Sequence, residues 1–230
     1  YYVMDKAAAG KPILLTDFST PKERMFSLRV TGVMNLAEKP CEPRVYASKR
    51  YPALSFPVSV NENLIDFYND YPLSSEWGVY SEASLSEEVK GQLYPALRDK
   101  IAGKDVLTAA NMLLNFVQTA FEYKTDVEQF GRERAFFGDE TFFYPYSDCE
   151  DRAILYSILV RELLGLDVVL LHYPLHLATA VRFEQDVPGD HIAIDGVKYT
   201  VCDPTYIGAL AGDAMPEYKT VPAQVVKIRK

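Results

Sequence analysis

The segment SDCEDRAILYSILVRELLG, from Ser147 to Gly165, constrains the fold more than any other part of the chain. The spacing Ser147-x-x-Glu150 matches a capping box at a helix start. Gly165 is suited to the position just after a helix end. The apolar residues between them recur with helical period: Ile154, Leu155, Ile158, Leu159 and Leu163. We therefore predict a helix that Ser147 caps, with Cys149 as the second residue of its first turn.

Strand-like runs follow this helix. DVVLLHY has the composition of a buried strand, and HLATAVRF is a second run separated from it by Pro174. HIAIDGVKYTVCD predicts a hairpin, because Asp195-Gly196 supplies a two-residue turn between alternating runs. A helix followed by antiparallel-looking strands predicts an α+β fold.

Helical patterns also precede the capped segment. A capping box at Ser84-x-x-Glu87 opens one stretch, which we expect Pro95 to break or kink and Gly103 to end. DVLTAANMLLNFVQTAFEY carries an apolar stripe of helical period and predicts a second helix. KTDVEQFGRERAFFGDETFFYPYSD then indicates a long loop that leads into Cys149, and loops of roughly 20 residues inside compact domains are often functional.

The first part of the chain differs in character. Residues 1–83 contain short β-like runs with turn-rich flanks, namely KPILL, MFSLRVTGV, ALSFPVSV and LIDFY, and no chemical motif. We therefore predict two units, a β-rich N-terminal region over 1–83 and a domain over 84–230 that carries the capped helix and the later strands.

Composition excludes some classes of function. The 48% of apolar residues allow a sizeable core, while the net charge of −8 and scattered Lys and Arg residues argue against nucleic-acid binding. No apolar run approaches the roughly 18 residues of a transmembrane helix. Because the chain begins without Met, we expect a processed piece of a longer protein. A removed signal peptide would make it secreted or periplasmic, so localisation and oligomeric state stay open.

The three cysteines fit no disulfide or metal spacing, which leaves room for a reactive thiol. Cys149 would lie near the unpaired N–H groups of a helix start, which stabilise a thiolate and lower its pKa. The neighbouring acids Asp148, Glu150 and Asp151 act in the opposite direction. The alternative is a small apolar residue packed at a helix end, since free cysteines are commonly buried and inert.

A reactive thiol needs a base, and the chain has three histidines. His176 is the first candidate because it begins a strand-like run just after Pro174, where a side chain faces a cleft. His191, which begins the next strand beside a polar turn, is the second candidate, and His172 ends DVVLLH. For each of them the alternative is a surface or hydrogen-bonded structural histidine.

The base needs an orienting group, and Asp203 is the candidate carboxylate. It ends the run VKYTVCD, and if that strand neighbours HLATAVRF, the acid and His176 reach one edge of the sheet. Asp195 and Asp190 have sufficient structural reasons to lie in turns. Cys202 alternates with Thr200 and is expected in the core.

Together these residues resemble the transglutaminase-like domain of the papain-like superfamily. The resemblance rests on YSDCEDRAILYSILVRELLGLDVVLL, HLATAV and VKYTVCDPT, and it covers about residues 105–210. NFVQTAFEYKTD is also similar to the helix that precedes the cysteine loop in bacterial members. Many relatives have Gly two residues before the cysteine, where this chain has Ser147.

The resemblance implies a papain-like core in which a nucleophile helix packs on an antiparallel sheet. It implies that Cys149 is the nucleophile, His176 the general base and acid, and Asp203 the orienting carboxylate. The reaction would be acyl transfer on an amide of a protein or peptide, as a cysteine peptidase, an amidase or a transglutaminase, and it requires no metal or organic cofactor. The second oxyanion donor has no clear candidate in the sequence.

An alternative function is non-catalytic. A transglutaminase-like module without activity would bind a peptide or glycan in the same cleft. The aromatic segment FFGDETFFYPY favours this alternative, since Phe and Tyr make good contact surfaces. The same segment could instead pack on the core.

Overall fold

In a computed structural model of the chain, residues 27–30, 32 and 34–229 are described. The strands in this part are β1 (Arg44–Ala47), β2 (Ser55–Val58), β3 (Glu122–Tyr123), β4 (Tyr146–Ser147), β5 (Val168–Tyr173), β6 (His176–Val181), β7 (His191–Ile194), β8 (Val197–Cys202) and β9 (Gln224–Lys227). The helices are α1 (Glu62–Asp70), α2 (Trp77–Ser81), α3 (Glu87–Ile101), α4 (Val106–Ala120), α5 (Asp126–Phe130), α6 (Gly138–Phe143) and α7 (Cys149–Leu164), and a 3₁₀ turn spans Pro216–Tyr218.

The main sheet has the strand order β7-β8-β6-β5-β9, and every neighbouring pair is antiparallel. β1 and β2 form a separate antiparallel pair, and β3 and β4 a short parallel pair. Helix α7 packs against β5 and β6 on one side and against α4 on the other. The molecule is therefore mixed α and β with an antiparallel sheet, which confirms the predicted α+β class.

Helix α7 is the centre of the core. Every residue from Cys149 to Val160 is buried, including the polar ones, so this helix is covered on all sides. It ends where predicted, because Gly165 adopts the left-handed conformation and its N–H bonds the carbonyl of Arg161. An element buried over most of its length fixes the groups at its first turn more tightly than a surface helix would.

The second face of the sheet is covered by the C-terminal part of the chain. Val169, Leu171, Ala178 and Ala180 form an apolar layer on this face, and Ala214 packs with them. Chain reversal after β8 therefore places the segment around the 3₁₀ turn against the side of the sheet that α7 does not cover. In the described part of the chain, no helix is long and apolar enough to cross a membrane.

The N-terminal region differs from its prediction. The run ALSFPVSV contains β2 as expected, but LIDFY lies in α1, and α2 follows, so the described part of this region is mixed and not β-rich. KPILL lies outside the described residues, as does the beginning of MFSLRVTGV. Phe56 of β2 packs in the same core as Ile158 of α7, so this core contains residues from both sides of the predicted boundary at residue 84.

Helix α3 also differs from its prediction. Its N-cap is Ser86, whose hydroxyl accepts from the N–H of Val89, and the helix continues through Pro95 to Ile101. Pro95 and Gly91, whose carbonyl loses its helical partner, both face solvent, where water replaces the missing hydrogen bond. The helix ends just before Gly103, which has the positive φ expected of a terminator.

Two strand predictions hold and one loop prediction is wrong. β5 and β6 lie where DVVLLHY and HLATAVRF placed them, and the β7–β8 hairpin turns at Asp195-Gly196, both with positive φ. The segment 124–148 is not one loop, because it contains α5, α6 and β4. Its short helices carry few apolar repeats, which is why periodicity did not indicate them.

Two glycines allow the loop before β7 to cross the loop after β8. Gly189 and Gly212 both have positive φ, and the N–H of Asp190 donates to the carbonyl of Gly212 at 2.7 Å. A Cβ atom on Gly212 would overlap the carbonyl oxygen of Pro188. This crossing holds the start of β7 against the segment that covers the second face of the sheet.

We predict that Gly212→Ala lowers the free energy of unfolding by ~2 kcal/mol or more, because the new methyl group meets backbone at an unfavourable φ. The measurement is urea unfolding followed by circular dichroism. Gly91→Ala is the matched control, since Gly91 is helical and a Cβ there meets no atom within 4 Å. That variant should gain about 0.5–1 kcal/mol, and equal effects of the two substitutions would contradict the prediction.

Candidate active site

Helix α7 begins one residue later than predicted. Its N-cap is Asp148, whose N–H donates to Oδ2 of Asp151 at 3.1 Å, so Cys149 is the first helical residue. The prediction that Ser147 caps the helix is wrong. Ser147 belongs to β4, and its hydroxyl accepts a 3.2 Å hydrogen bond from Nε of Arg152. The consequence for the thiol is small, since Cys149 still lies within the turn whose N–H groups have no helical partner.

His176 and Asp203 form a buried pair. Nε2 of His176 lies 2.8 Å from Oδ2 of Asp203, and the two residues are only 6% and 2% exposed. Oδ1 of the same carboxylate accepts from the N–H groups of Thr205 and Tyr206. Because an ionised carboxylate only accepts, the pair favours the tautomer with its proton on Nε2, which leaves Nδ1 as an acceptor.

The pairing of β6 with β8, on which the assignment of Asp203 depended, brings these two residues together. Thr179 lies opposite Cys202 in the ladder, and its hydroxyl donates to the Cys202 carbonyl at 2.5 Å. Asp203 follows β8 directly, while His176 opens β6. Both side chains therefore reach the same end of the sheet, where the two strands separate.

Cys149 lies against β6 beside this pair. It packs with the side chains of Leu170 and Leu177, and Leu177 is the residue after His176. The S–H group donates to Oε2 of Glu150 at 3.1 Å. His176 and Asp203 are thus directly hydrogen-bonded to each other. The thiol packs against Leu177, the residue after His176, and donates its own hydrogen bond to Glu150.

The surroundings of the thiol oppose ionisation in this conformation. Burial is the main cause that raises the pKa of Cys149 well above its usual range, and the charges of Glu150 and Asp148 raise it further. Cys149 as a whole is only 9% exposed. The sequence led us to expect a lowered pKa from the helix start, and the reversal arises first because the thiol is buried and second because the adjacent carboxylates lie beside it.

A cluster of buried carboxylates lies behind the thiol. Burial raises the pKa of Asp126 to about 7 and that of Asp148 to about 8, and it raises the pKa of Asp151 well above its usual range. The cluster orders the segment before α7: Asp151 accepts from the N–H of Phe136, and Asp126 from that of Arg134. Oxygens of the three aspartates lie within 4.8 Å of one another, a spacing that a hard cation could bridge.

The remaining candidate residues have structural roles. His191 is exposed and its Nδ1 bonds the carbonyl of Gly189, while the ring of His172 packs edge-on against Trp77. Asp195 lies exposed in its turn and pairs with Lys227. Asp190 and Cys202 behave as expected. Asp190 accepts a hydrogen bond from the loop N–H of Ala214, and Cys202 is fully buried.

Tyr218 is a site residue that the sequence did not indicate. Its ring stacks on the imidazole of His176, with centroids 4.7 Å apart and planes 17° from parallel. Tyr173 lies beside both rings. Tyr218 therefore covers the face of the imidazole and shields the hydrogen bond to Asp203 from water. It comes from the 3₁₀ turn, far along the chain from the other site residues, and no local pattern marks it.

Gln118 is a second residue that the sequence reading missed. It is fully buried in α4, and its Nε2 donates to the carbonyls of Asp203 and Tyr206 at 3.0 and 2.8 Å. These are the two ends of the turn that the Asp203 carboxylate closes. The sequence does contain one indication of this role. Gln118 is a polar residue on the same helix face as Leu114 and Phe121, and a buried amide needs hydrogen-bond partners.

The aromatic segment packs on the core. Phe136, Phe137 and Phe142 are buried, and Phe137 stacks on Tyr68 of α1 with ring centroids 4.2 Å apart. These rings are therefore unavailable as a contact surface, and the structural alternative for FFGDETFFYPY is correct for them.

Comparisons with known proteins do not assign this chain to a family. No family model matches it, and searches of curated proteins and of solved structures also found no match. Inference about function therefore starts from the geometry of Cys149, His176 and Asp203.

We predict that Glu150→Gln speeds alkylation of Cys149 by iodoacetamide at pH 7.5. Removing the charge removes a cause of the raised thiol pKa, and each pKa unit changes the thiolate fraction about tenfold. Rates measured by mass spectrometry of the Cys149 peptide should rise about tenfold per pH unit from pH 6 to 10, as expected of a thiol whose pKa lies above this range.

The matched control for this measurement is Glu184→Gln, because Glu184 is exposed and lies beyond the end of β6, three residues after Val181. It should leave the alkylation profile unchanged. A wild-type thiol that reacts as fast at pH 6 as at pH 9 would contradict a raised pKa.

We predict that the protein is more stable at pH 5.5 than at pH 8. The folded pKa values of Asp126 and Asp148 lie above the unfolded value of about 3.9, so the native state holds more protons between these limits and stability falls as pH rises through them. The expected loss is on the order of 2 kcal/mol. Thermal unfolding at both pH values measures it, and Asp148→Asn should reduce the difference while Glu184→Gln should not.

Proposed function

We propose that this chain is a thiol-dependent acyltransferase of the transglutaminase-like type, which acts on amide bonds of a protein or peptide through Cys149, His176 and Asp203. The observation that carries the proposal is the buried hydrogen bond from His176 to Asp203, placed one residue from the strand position that contacts Cys149. A helix that begins at the cysteine and packs on an antiparallel sheet is what a papain-like core requires, and this supports the same assignment.

In the proposed mechanism the thiol is neutral at rest. As its sulfur attacks the substrate carbonyl, Nδ1 of His176 takes the thiol proton, and Asp203 holds the imidazolium through Nε2. The C–N bond then breaks, and His176 gives the proton to the departing amine. A thioester on Cys149 remains.

The second half of the reaction regenerates the thiol. Water or a primary amine gives a proton to Nδ1 of His176 as it attacks the thioester carbonyl, the C–S bond breaks, and the sulfur recovers the proton from His176. The backbone N–H groups at the start of α7 are the donors available to the oxyanion in both halves. Water makes the reaction a hydrolysis, and an amine makes it a transamidation.

A neutral resting thiol places the activation step within the substrate complex. The thiol must turn from Glu150 toward the imidazole, and Tyr218 must leave room for the substrate beside His176. Binding energy from the substrate would drive both movements. This distinguishes the proposed enzyme from one that keeps a thiolate–imidazolium pair before substrate arrives.

The test is turnover of a casein digest, with release of new amino termini or incorporation of a fluorescent primary amine as the two readouts. Cys149→Ala should abolish both, and His176→Ala should lower the rate by a factor on the order of 10³ or more. Asp203→Asn should retain the fold and still lose at least about 10²-fold, because the imidazole tautomer is no longer fixed.

His191→Ala is the matched control for the histidine, since His191 is exposed and bonds only a loop carbonyl. Turnover that survives Cys149→Ala would rule out the proposed nucleophile.

A binding module without turnover is the second candidate, favoured by the hydrogen bond of the thiol to Glu150 and by its burial. Peptide binding that is unchanged by Cys149→Ala, together with no turnover, would select it.

A further inference from the structure

The turn between β5 and β6 carries an unusual leucine. Tyr173 pairs with His176 across the hairpin, so Pro174 and Leu175 form a two-residue turn. Leu175 has a φ of 60°, and it is 99% exposed. Its side chain therefore makes almost no contact with the described part of the protein.

Leu175 has two energetically unfavourable features, and no contact within the described part of the protein offsets them. A left-handed backbone costs a residue with a Cβ atom free energy that glycine avoids and asparagine largely avoids. Full exposure leaves a large apolar side chain in water. Among the described residues, the other non-glycine position with positive φ is Asp195, whose residue type tolerates that conformation and whose side chain pairs with Lys227. Turn formation alone would favour Gly or Asn at position 175.

The position of Leu175 explains the feature. The next residue is His176, and Leu177 beyond it packs against Cys149. Across the ladder from Leu177 lies His172, whose ring meets Trp77. Trp77 also packs against the cluster that contains Cys149. Trp77, Leu177 and the thiol therefore form one apolar cluster beside β6, and Leu175 lies in the turn two residues before Leu177.

We propose that Leu175 is a specificity-determining residue that contacts a large apolar side chain of the polypeptide acyl donor. The inference rests on the proposed function. An extended chain advances about 3.3 Å per residue, and Leu175 is two residues from Leu177, so the apolar group lies within about two residues of the carbonyl that Cys149 attacks. Contact with the substrate buries the exposed leucine, and this compensates for the cost of its conformation.

The test compares three thiol probes on the whole chain: iodoacetamide, an acetyl-Gly-Gly chloromethyl ketone and an acetyl-Phe-Gly chloromethyl ketone. Wild-type Cys149 should react about tenfold faster with the Phe probe than with the Gly probe. Leu175→Asn, which suits the turn, should bring that ratio close to one, keep the iodoacetamide rate within about twofold, and leave Tm equal or higher. Leu175→Met should retain the preference, because it keeps the apolar contact.

The alternatives give different results. An unchanged preference in Leu175→Asn overturns the inference, as does a wild-type protein that reacts with both ketones at equal rates. A lower Tm with equal loss of all three rates would show that Leu175 only supports the turn, which also overturns it. A wild-type Cys149 that reacts with iodoacetamide but with neither ketone, and turns over no amide, refutes the proposed function itself.

Discussion

A buried guanidinium holds the two central helices together, and the candidate site depends on it. Arg152 of α7 is among the largest fully buried side chains, and burial lowers its pKa. Such a group is tolerated only when its donors are satisfied. Nη1 and Nη2 donate to the carbonyls of Gln118 and Phe121 at 3.3 and 2.8 Å, and Nε donates to Ser147. Two carbonyls at the C-terminal end of α4, where a helix leaves them unpaired, are thereby satisfied.

The hydrogen bond from Arg152 to Gln118 also helps to position Asp203. The backbone of Gln118 is held by α7, and its side chain holds the turn that starts at Asp203. The start of α7 and the acid that faces His176 are therefore fixed through one short stretch of α4, although they are far apart in the chain. Geometry of this kind is what a reacting group needs, because displacement by about 1 Å of a catalytic group costs much of its rate.

The sequence predicted the elements whose signals are local. β5, β6 and the β7–β8 hairpin have continuous apolar or alternating runs with defined turns. The pairing of β6 with β8, which β7 separates in the chain, was only an assumption at the level of sequence, and the structure shows it. LIDFY was assigned to a strand because it is short and aromatic, yet Leu64, Ile65 and Tyr68 have helical spacing and Asn61 accepts from Asn63 as an N-cap. Short segments leave this choice to tertiary packing.

At the site, the sequence could not predict which residue caps α7 or whether the thiol of Cys149 is ionised. Ser147 and Asp148 are both good caps, and Arg152 decides between them by bonding the hydroxyl of Ser147. The segment around Cys149 that predicted a stabilised thiolate also contains two carboxylates, Asp148 and Glu150. How far they raise the pKa of the thiol depends on their burial, which cannot be read from the local sequence. Since Glu150 and Asp148 are buried with the sulfur, the site resists negative charge until another group enters. In the proposed mechanism, a substrate that turns the thiol toward His176 would have to bring enough binding energy to offset that resistance, and the proposed apolar contact at Leu175 is one source of it.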